Sequence, residues 1–500
     1  NQFSENSFNI NNETFTTFDN IFIKKNPFQY RGDLEFKLIT SKLSLLQYNV
    51  SLRNETIKTN RAIFSNQEND FISYLQSKNL FLKQRLQYTK KITNKKAIQT
   101  SLLYSTNSLK QYFNITPSFF NTNETDRSLQ NNNSKKHYLD FKGTLLAAKK
   151  NDNYAFTFGA SLSKELFQSF LGSQNDTDTI PFQNGINNLE YKKNEFYTLG
   201  SYHWKFKKLK VSTNYSLKFL HQNLDLFENN TSTDSNHFIF EPSLNVSYKL
   251  NQISFLNMTM GLNRNTNSIQ NLFPNSVLIN NRTLLSNIQN LSLQKNQSVG
   301  LSYDKNDLFN QLEISIGVNY TKQKGGFFSN SLINGNSLIV ESFFSPENTE
   351  NLNLNLNFSK LIPVLKTTLK INSNYSVFNF KNIVNNSELR NNKSNYINNQ
   401  IFLKTAFSSV VNFENKINYI YRDTQNETLF KSTSFQNKFK IIVKPSKQFY
   451  GNLTVDFFIP NLEKKSNDYS FLSAKIWYKP KNKKWEMNFS GTNLINIKDF

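Results

Sequence analysis

Cysteine is absent from all 500 residues, so neither a disulfide framework nor a thiolate site organises this chain. Histidine is nearly absent. His137, His203, His221 and His237 show no metal-ligand spacing such as His-Glu-x-x-His. No Gly-x-Ser-x-Gly elbow occurs, which argues against a hydrolase. Mean hydropathy is −0.58, and no run approaches the roughly 20 apolar residues of a membrane helix, so a helical membrane protein is excluded. Glycine (14) and proline (10) are scarce. Asn, Lys, Phe and Ile are abundant instead, a bias that an AT-rich genome explains without reference to fold.

Codon bias does not explain the order of the residues. Asn351 to Ser359 reads Asn-Leu-Asn-Leu-Asn-Leu-Asn-Phe-Ser. That alternation puts Leu352, Leu354, Leu356 and Phe358 on one face of a β-strand and the asparagines on the other. After a break at Leu361, Ile362 and Pro363 it resumes through Leu369, Ile371, Tyr375 and Val377, which predicts a hairpin.

From residue 31 the same unit recurs about ten times. Tight turns are expected at Thr40 to Lys42, Thr93 to Lys95, Lys150 to Asp152, Lys207 and Lys208, Asn251, Lys305 to Asp307, Ser408 and Ser409, Pro445 to Lys447, and Pro480 to Asn482. Between these units stand Asn/Ser/Thr-rich stretches read as long loops, the longest at 106–136, 263–293 and 323–349. Short connections alternating with long ones describe an up-and-down meander. The strands reach the roughly 9 to 11 tilted residues that cross a bilayer. Inside lipid an open sheet edge would leave backbone groups unsatisfied, so the sheet must close. The expectation is an all-β fold, a large antiparallel up-and-down transmembrane β-barrel of about twenty strands. Residues 1–30 are read as an outer loop or partial strand, and 31–500 as the barrel. Tyr88, Trp204, Phe206, Tyr248, Trp477, Tyr478 and Trp485 stand near the short turns, where an interfacial aromatic girdle belongs.

Charge fits this picture. The formal net charge is +23, but the lysines are spread along the chain and gather at turns, unlike the concentrated arm or helix of a nucleic-acid binder. No nucleic acid is expected as partner. Neither a basic and apolar leader nor an initiator Met stands at Asn1, so the chain reads as a processed or truncated piece.

Two short motifs carry a family resemblance. Asn493-Leu494-Ile495-Asn496 is similar to the Asn-Leu-Phe-Asn/Asp motif after the penultimate strand of bacterial TonB-dependent receptors, with Ile495 in place of Phe. Gln87-Tyr88-Thr89-Lys90-Lys91-Ile92 with Lys96 resembles a strand end of the outer-membrane barrel branch that carries a carboxypeptidase-like regulatory domain. The resemblance implies an outer-membrane barrel of 22 strands, a plug domain upstream in the same protein, and uptake of a scarce solute such as a metal chelate, glycan or peptide. The partners it implies are the TonB complex, outer-membrane lipid and lipopolysaccharide, and a surface lipoprotein. A structural barrel anchoring a surface complex and a passive porin stand as alternatives. No cofactor and no enzymatic activity are expected.

Candidate ligand contacts lie on the polar strand faces. Asn353, Asn355, Glu414, Lys416 and Arg422 are expected to face the lumen, because lipid cannot hydrate charge. Asn175-Asp176-Thr177-Asp178 offers oxygens to Ca²⁺ but lacks the Gly and Glu that complete such loops. Arg31-Gly32-Asp33 spells an adhesion tripeptide at the start of an expected strand, where chance is the better explanation. The basic balance favours anionic ligands or lipopolysaccharide phosphates.

Overall fold

The computed structural model describes residues 2–10, 13–65, 70–118, 127–174, 178–334, 337–425, 429–463, 468–481 and 485–495. Among these are 23 strands in one sheet. The first half holds β1 (Gln2–Ile10), β2 (Glu13–Ser41), β3 (Ser44–Ser65), β4 (Phe71–Thr93), β5 (Lys96–Thr116), β6 (Arg127–Ala148), β7 (Asp152–Gln174), β8 (Thr179–Phe206), β9 (Leu209–Leu226), β10 (Thr231–Lys249) and β11 (Ser254–Asn265). A folded segment follows, with a 3-10 turn at Ile269–Asn271, β12 (Val277–Asn280) and β13 (Thr283–Asn287). The meander then resumes with β14 (Gln294–Asp307), β15 (Leu312–Asn334), β16 (Ser337–Ile362), β17 (Thr367–Val384), β18 (Arg390–Thr405), β19 (Val411–Gln425), β20 (Leu429–Val443), β21 (Phe449–Ile459), β22 (Tyr469–Tyr478) and β23 (Met487–Gly491).

Each strand of the meander pairs antiparallel with the next, and β11 reaches past the inserted segment to β14. The expected tight turns fall between the paired strands. The turn after β14 lies a few residues later than expected, at 308–311, and part of the Pro480 to Asn482 turn, with Lys483 and Lys484, lies outside the described residues.

The long loops are corrected. Most of 106–136 and nearly all of 323–349 are strand; residues 13–30, read as an outer loop or partial strand, form the first part of β2. Many strands run well beyond bilayer length; β2 has 29 residues and β8 has 28. The cause is that a ladder needs only backbone partners. Hydrophobic alternation fades along these extensions, while the hydrogen bonds continue. Arg31-Gly32-Asp33 therefore lies within β2, not at its start, with Arg31 Nε 2.7 Å from Asp33 Oδ2.

Register turns the alternation into two surfaces. One cross-strand row runs Phe36, Tyr48, Leu86, Leu102, Phe141, Ala160, Phe196, Phe219 and Phe238. A second, from β10 to β19, runs Val246, Met258, Leu301, Val318, Leu354, Tyr375, Ile397 and Tyr421. Phe141, Phe158, Phe196, Phe219 and Phe238 are exposed to the outside. The opposite face is polar: Asp140, Ser161 and Glu195 lie in one register row.

Close packing also fixes this polar face locally. The Tyr197 ring lies over Gly159, where an added Cβ would come within 2.3 Å of it, and its hydroxyl donates to Asp140 Oδ1 at 2.5 Å. Gly159→Val should displace the ring and cost about 1–3 kcal/mol. The check is the folded fraction by heat-modifiable migration in detergent, which should fall. An unchanged fraction would show that the ring can move freely.

Candidate functional site

The polar face is not empty. Segment 266–293, expected to be a long loop, folds onto it and supplies many of the buried apolar side chains among the described residues. Ile269, Leu272, Phe273, Val277 and Leu291 pack with Leu189 and Tyr191 of β8 and Leu224 of β9. Leu278 and Leu284 pack with Ile115 of β5 and Leu171 of β7. Leu293 meets Leu220 of β9 and Ile239 of β10. Each such side chain contributes about 1.5–3 kcal/mol of gross burial energy. The same segment lies beside Thr59 and Arg61 of β3 and pairs in parallel through β13 with β16. One short segment can touch β3, the strands through β10, and β16 only if the sheet curls round it. The polar face is the concave, inner one. Among the described residues no ladder joins β1 to β23.

Buried amides bolt the insert to the wall. Gln130 of β6 forms a two-point clamp: its Nε2 donates to Leu278 O at 2.9 Å, and its Oε1 accepts from Leu278 N at 2.6 Å. Asn187 of β8 makes the same kind of clamp on Asn275, donating to its O at 3.1 Å and accepting from its N at 2.9 Å. Gln222 of β9 donates to Leu291 O at 3.0 Å while accepting from Tyr191 Oη at 2.5 Å. Within the insert, Asn287 Nδ2 donates to Phe273 O at 3.0 Å, and Asn267 donates to Asn290 O. These amides do for an irregular segment what a neighbouring strand does for a ladder. They satisfy buried backbone groups, each of which would cost about 1–3 kcal/mol if left alone.

A polar chamber of about 480 Å³ opens beside the insert, lined by Glu195, Lys218, Arg264, Asn267, Asn271 and Gln294. Lys218 Nζ lies 2.8 Å from Glu241 Oε2, and the same carboxylate accepts from Arg264 N at 2.7 Å through Oε1.

The five residues chosen from sequence lie apart from the insert, on β16 and β19. Asn353 stands across from Asn319 and Ser376, with its Nδ2 3.4 Å from Asn374 Oδ1. Asn355 lays its side-chain oxygen over Gly317. Glu414 holds Lys404 at 2.9 Å and Lys440 at 3.4 Å. Lys416 stands between Phe402 and Lys438 in register. Arg422 sits over the Tyr396 ring at 5.2 Å. The amides Gln130, Asn187 and Gln222 were missed; nothing in an Asn-rich sequence distinguishes a clamp from a solvated residue.

The other expectations resolve locally. His137, His203, His221 and His237 bond Tyr104, Ser212, Asn236 and Ser235 respectively. Among the described residues no group of three or more His, Cys, Asp or Glu could hold a metal ion. Asn175, Asp176 and Thr177 lie outside the described residues, as does Asn496 of the terminal motif.

No family model matches the chain, and no curated protein matches it. Among solved structures, it is similar to the copper transporter OprC at 8% identity, covering 89% of this chain and 75% of that one, with a TM-score of 0.49. It is also similar to the ferric-catecholate import receptor Fiu from K12 E. coli in its closed form, at 10% identity, 94% and 81% coverage and TM-score 0.47. A third is the ferric citrate transporter FecA in its unliganded form, at 10% identity, 95% and 76% coverage and TM-score 0.45.

If the clamps hold the insert in place, Gln222→Ala or Gln130→Ala should each release it at a cost of about 1–3 kcal/mol. Limited proteolysis should then cut within 266–293 faster than in the parent, while heat-modifiable migration of the barrel stays the same. Equal cleavage rates would show that apolar packing alone holds the segment.

Proposed function

We propose that this chain is the barrel of an outer-membrane transport receptor of the TonB-dependent type, taking up a scarce solute such as a metal chelate, glycan or peptide. The observation that carries this reading is the pair of apolar rows wrapped round the outside of a curled meander with a polar inner face. Water on both sides would make such a surface an aggregation hazard; lipid on the outside makes it the favourable arrangement. The terminal Asn493-Leu494-Ile495 tract and the Tyr88-Thr89-Lys90 strand end support the family.

In this reading Asn353, Asn355, Glu414, Lys416 and Arg422 line the lumen, and the strand extensions beyond the apolar rows stand in the external medium and meet the solute first. The insert narrows the entrance on the side of β5 to β10. Plug domain, TonB complex, lipopolysaccharide and a surface lipoprotein are the partners that go with this reading.

Two measurements test it. Leu354→Lys places a charge in the lipid-facing row and should cost about 2–4 kcal/mol of membrane insertion, whereas Asn355→Lys should assemble as the parent does. Equal assembly of both variants, read by heat-modifiable migration of membrane fractions, would refute the membrane assignment. For energy coupling, the coding DNA upstream of Asn1 should specify a plug and a TonB box; a signal peptide alone there would sink the receptor reading.

A further inference from the structure

A second cavity, of about 480 Å³, lies between the insert and the inner wall of β3 to β7. Its size falls in the range of about 300–1,000 Å³ typical of small-molecule sites. Most of its lining is apolar, with Phe113 and Phe167 from the wall and Phe273 and Leu278 from the insert. Phe167 and Phe273 approach to 5.3 Å between ring centroids.

Arg61 is the one charged side chain in this lining. It is half-buried, and among the described residues nothing pairs with its guanidinium. Two further groups are unsatisfied there: Asn281 Nδ2, a donor from the insert, and Asn132 Oδ1, an acceptor from the wall, both buried without a partner. Other cations on the inner face are matched by carboxylates, as Lys218 is by Glu241 and Lys136 by Glu165, whereas Lys416 and Arg422 stand outside this lining. A guanidinium in a confined, mostly apolar space is stabilised by an acid that it can grip with two parallel N–H···O bonds.

We propose that this cavity binds a small amphiphilic organic acid. Its carboxylate meets Arg61 with help from Asn281, its apolar body lies against Phe113, Phe167 and Phe273, and a donor on the ligand reaches Asn132. Because one side of the cavity belongs to the insert, occupancy and the position of 266–293 are coupled. The site needs only the folded barrel and the insert, so it stands independently of energy-coupled uptake.

Equilibrium dialysis of the protein in lipid nanodiscs, with empty nanodiscs as background, tests this with 4-phenylbutyrate and its neutral amide. The acid should bind on the order of tenfold more tightly than the amide, the amount a charged hydrogen-bonded contact contributes. Arg61→Gln should bring the acid down to the level of the amide without changing the amide, and Phe273→Ala should weaken both. Heat-modifiable migration confirms that each variant is folded. Equal binding of acid and amide by the parent, binding of neither, or an unaltered preference in folded Arg61→Gln overturns the proposal. Such a failure leaves the receptor reading standing, and absence of an upstream plug leaves the cavity standing.

Discussion

Every feature of this chain depends on one constraint: backbone hydrogen-bonding groups must find partners, and here they find them in the next strand. The antiparallel ladder runs from β1 to β23 with few register shifts, and it tolerates almost any side chain. What it enforces is alternation. Once a residue's register is set, its face is set, and a slip of one position would exchange the apolar and polar faces along a whole strand. The row from Phe36 to Phe238 shows how strictly this is kept across β2 to β10.

The part of the fold legible in the sequence is the part where the two faces meet different solvents. Leu352, Leu354 and Leu356 against Asn353 and Asn355 announce a strand because its two faces, one apolar and one polar, alternate without a break. On β5 and β15 the pattern breaks down: Phe113 and Ile115 turn apolar side chains to the insert, and Lys110 to Thr116 and Gln323 to Asn334 lose their alternation and look like loop, although their backbones remain in the ladder. The tight turns were legible for a different reason: they need short polar residues at fixed places, such as Asn94, Asn151 and Ser446, whatever the surroundings.

Of the candidate site, the sequence singles out charged residues and not the amides that hold the insert. Glu414, Lys416 and Arg422 stand out because they alternate with Phe413, Ile417, Tyr419 and Tyr421, and Glu414 with Lys404 and Lys440 forms a small ionic cluster. The insert was hidden. Its apolar residues, Ile269, Leu272, Phe273, Val277 and Leu278, lie in an Asn-rich stretch with neither a period of two nor one of 3.6, and their partners are spread over β5, β7, β8 and β9. Contacts such as Gln130 with Leu278 span 148 residues of sequence, and no local pattern encodes them.

The abundance of amides takes on a physical role from this. On the inner face, Asn357, Asn372, Gln400, Asn418 and Gln436 form a register row of neutral side chains that can both donate and accept. At the insert the same chemistry becomes structural: Gln130, Asn187 and Gln222 replace the strand that an irregular backbone lacks. Charged side chains could not do this work as cheaply, because each would bring a desolvation penalty into an apolar setting. Arg61 differs from these amides: it is the charged side chain in the lining of the cavity that Phe113, Phe167 and Phe273 share. On the proposal above, the contrast between the satisfied amides and that guanidinium separates the part of the inner face that holds the fold from the part that takes a ligand.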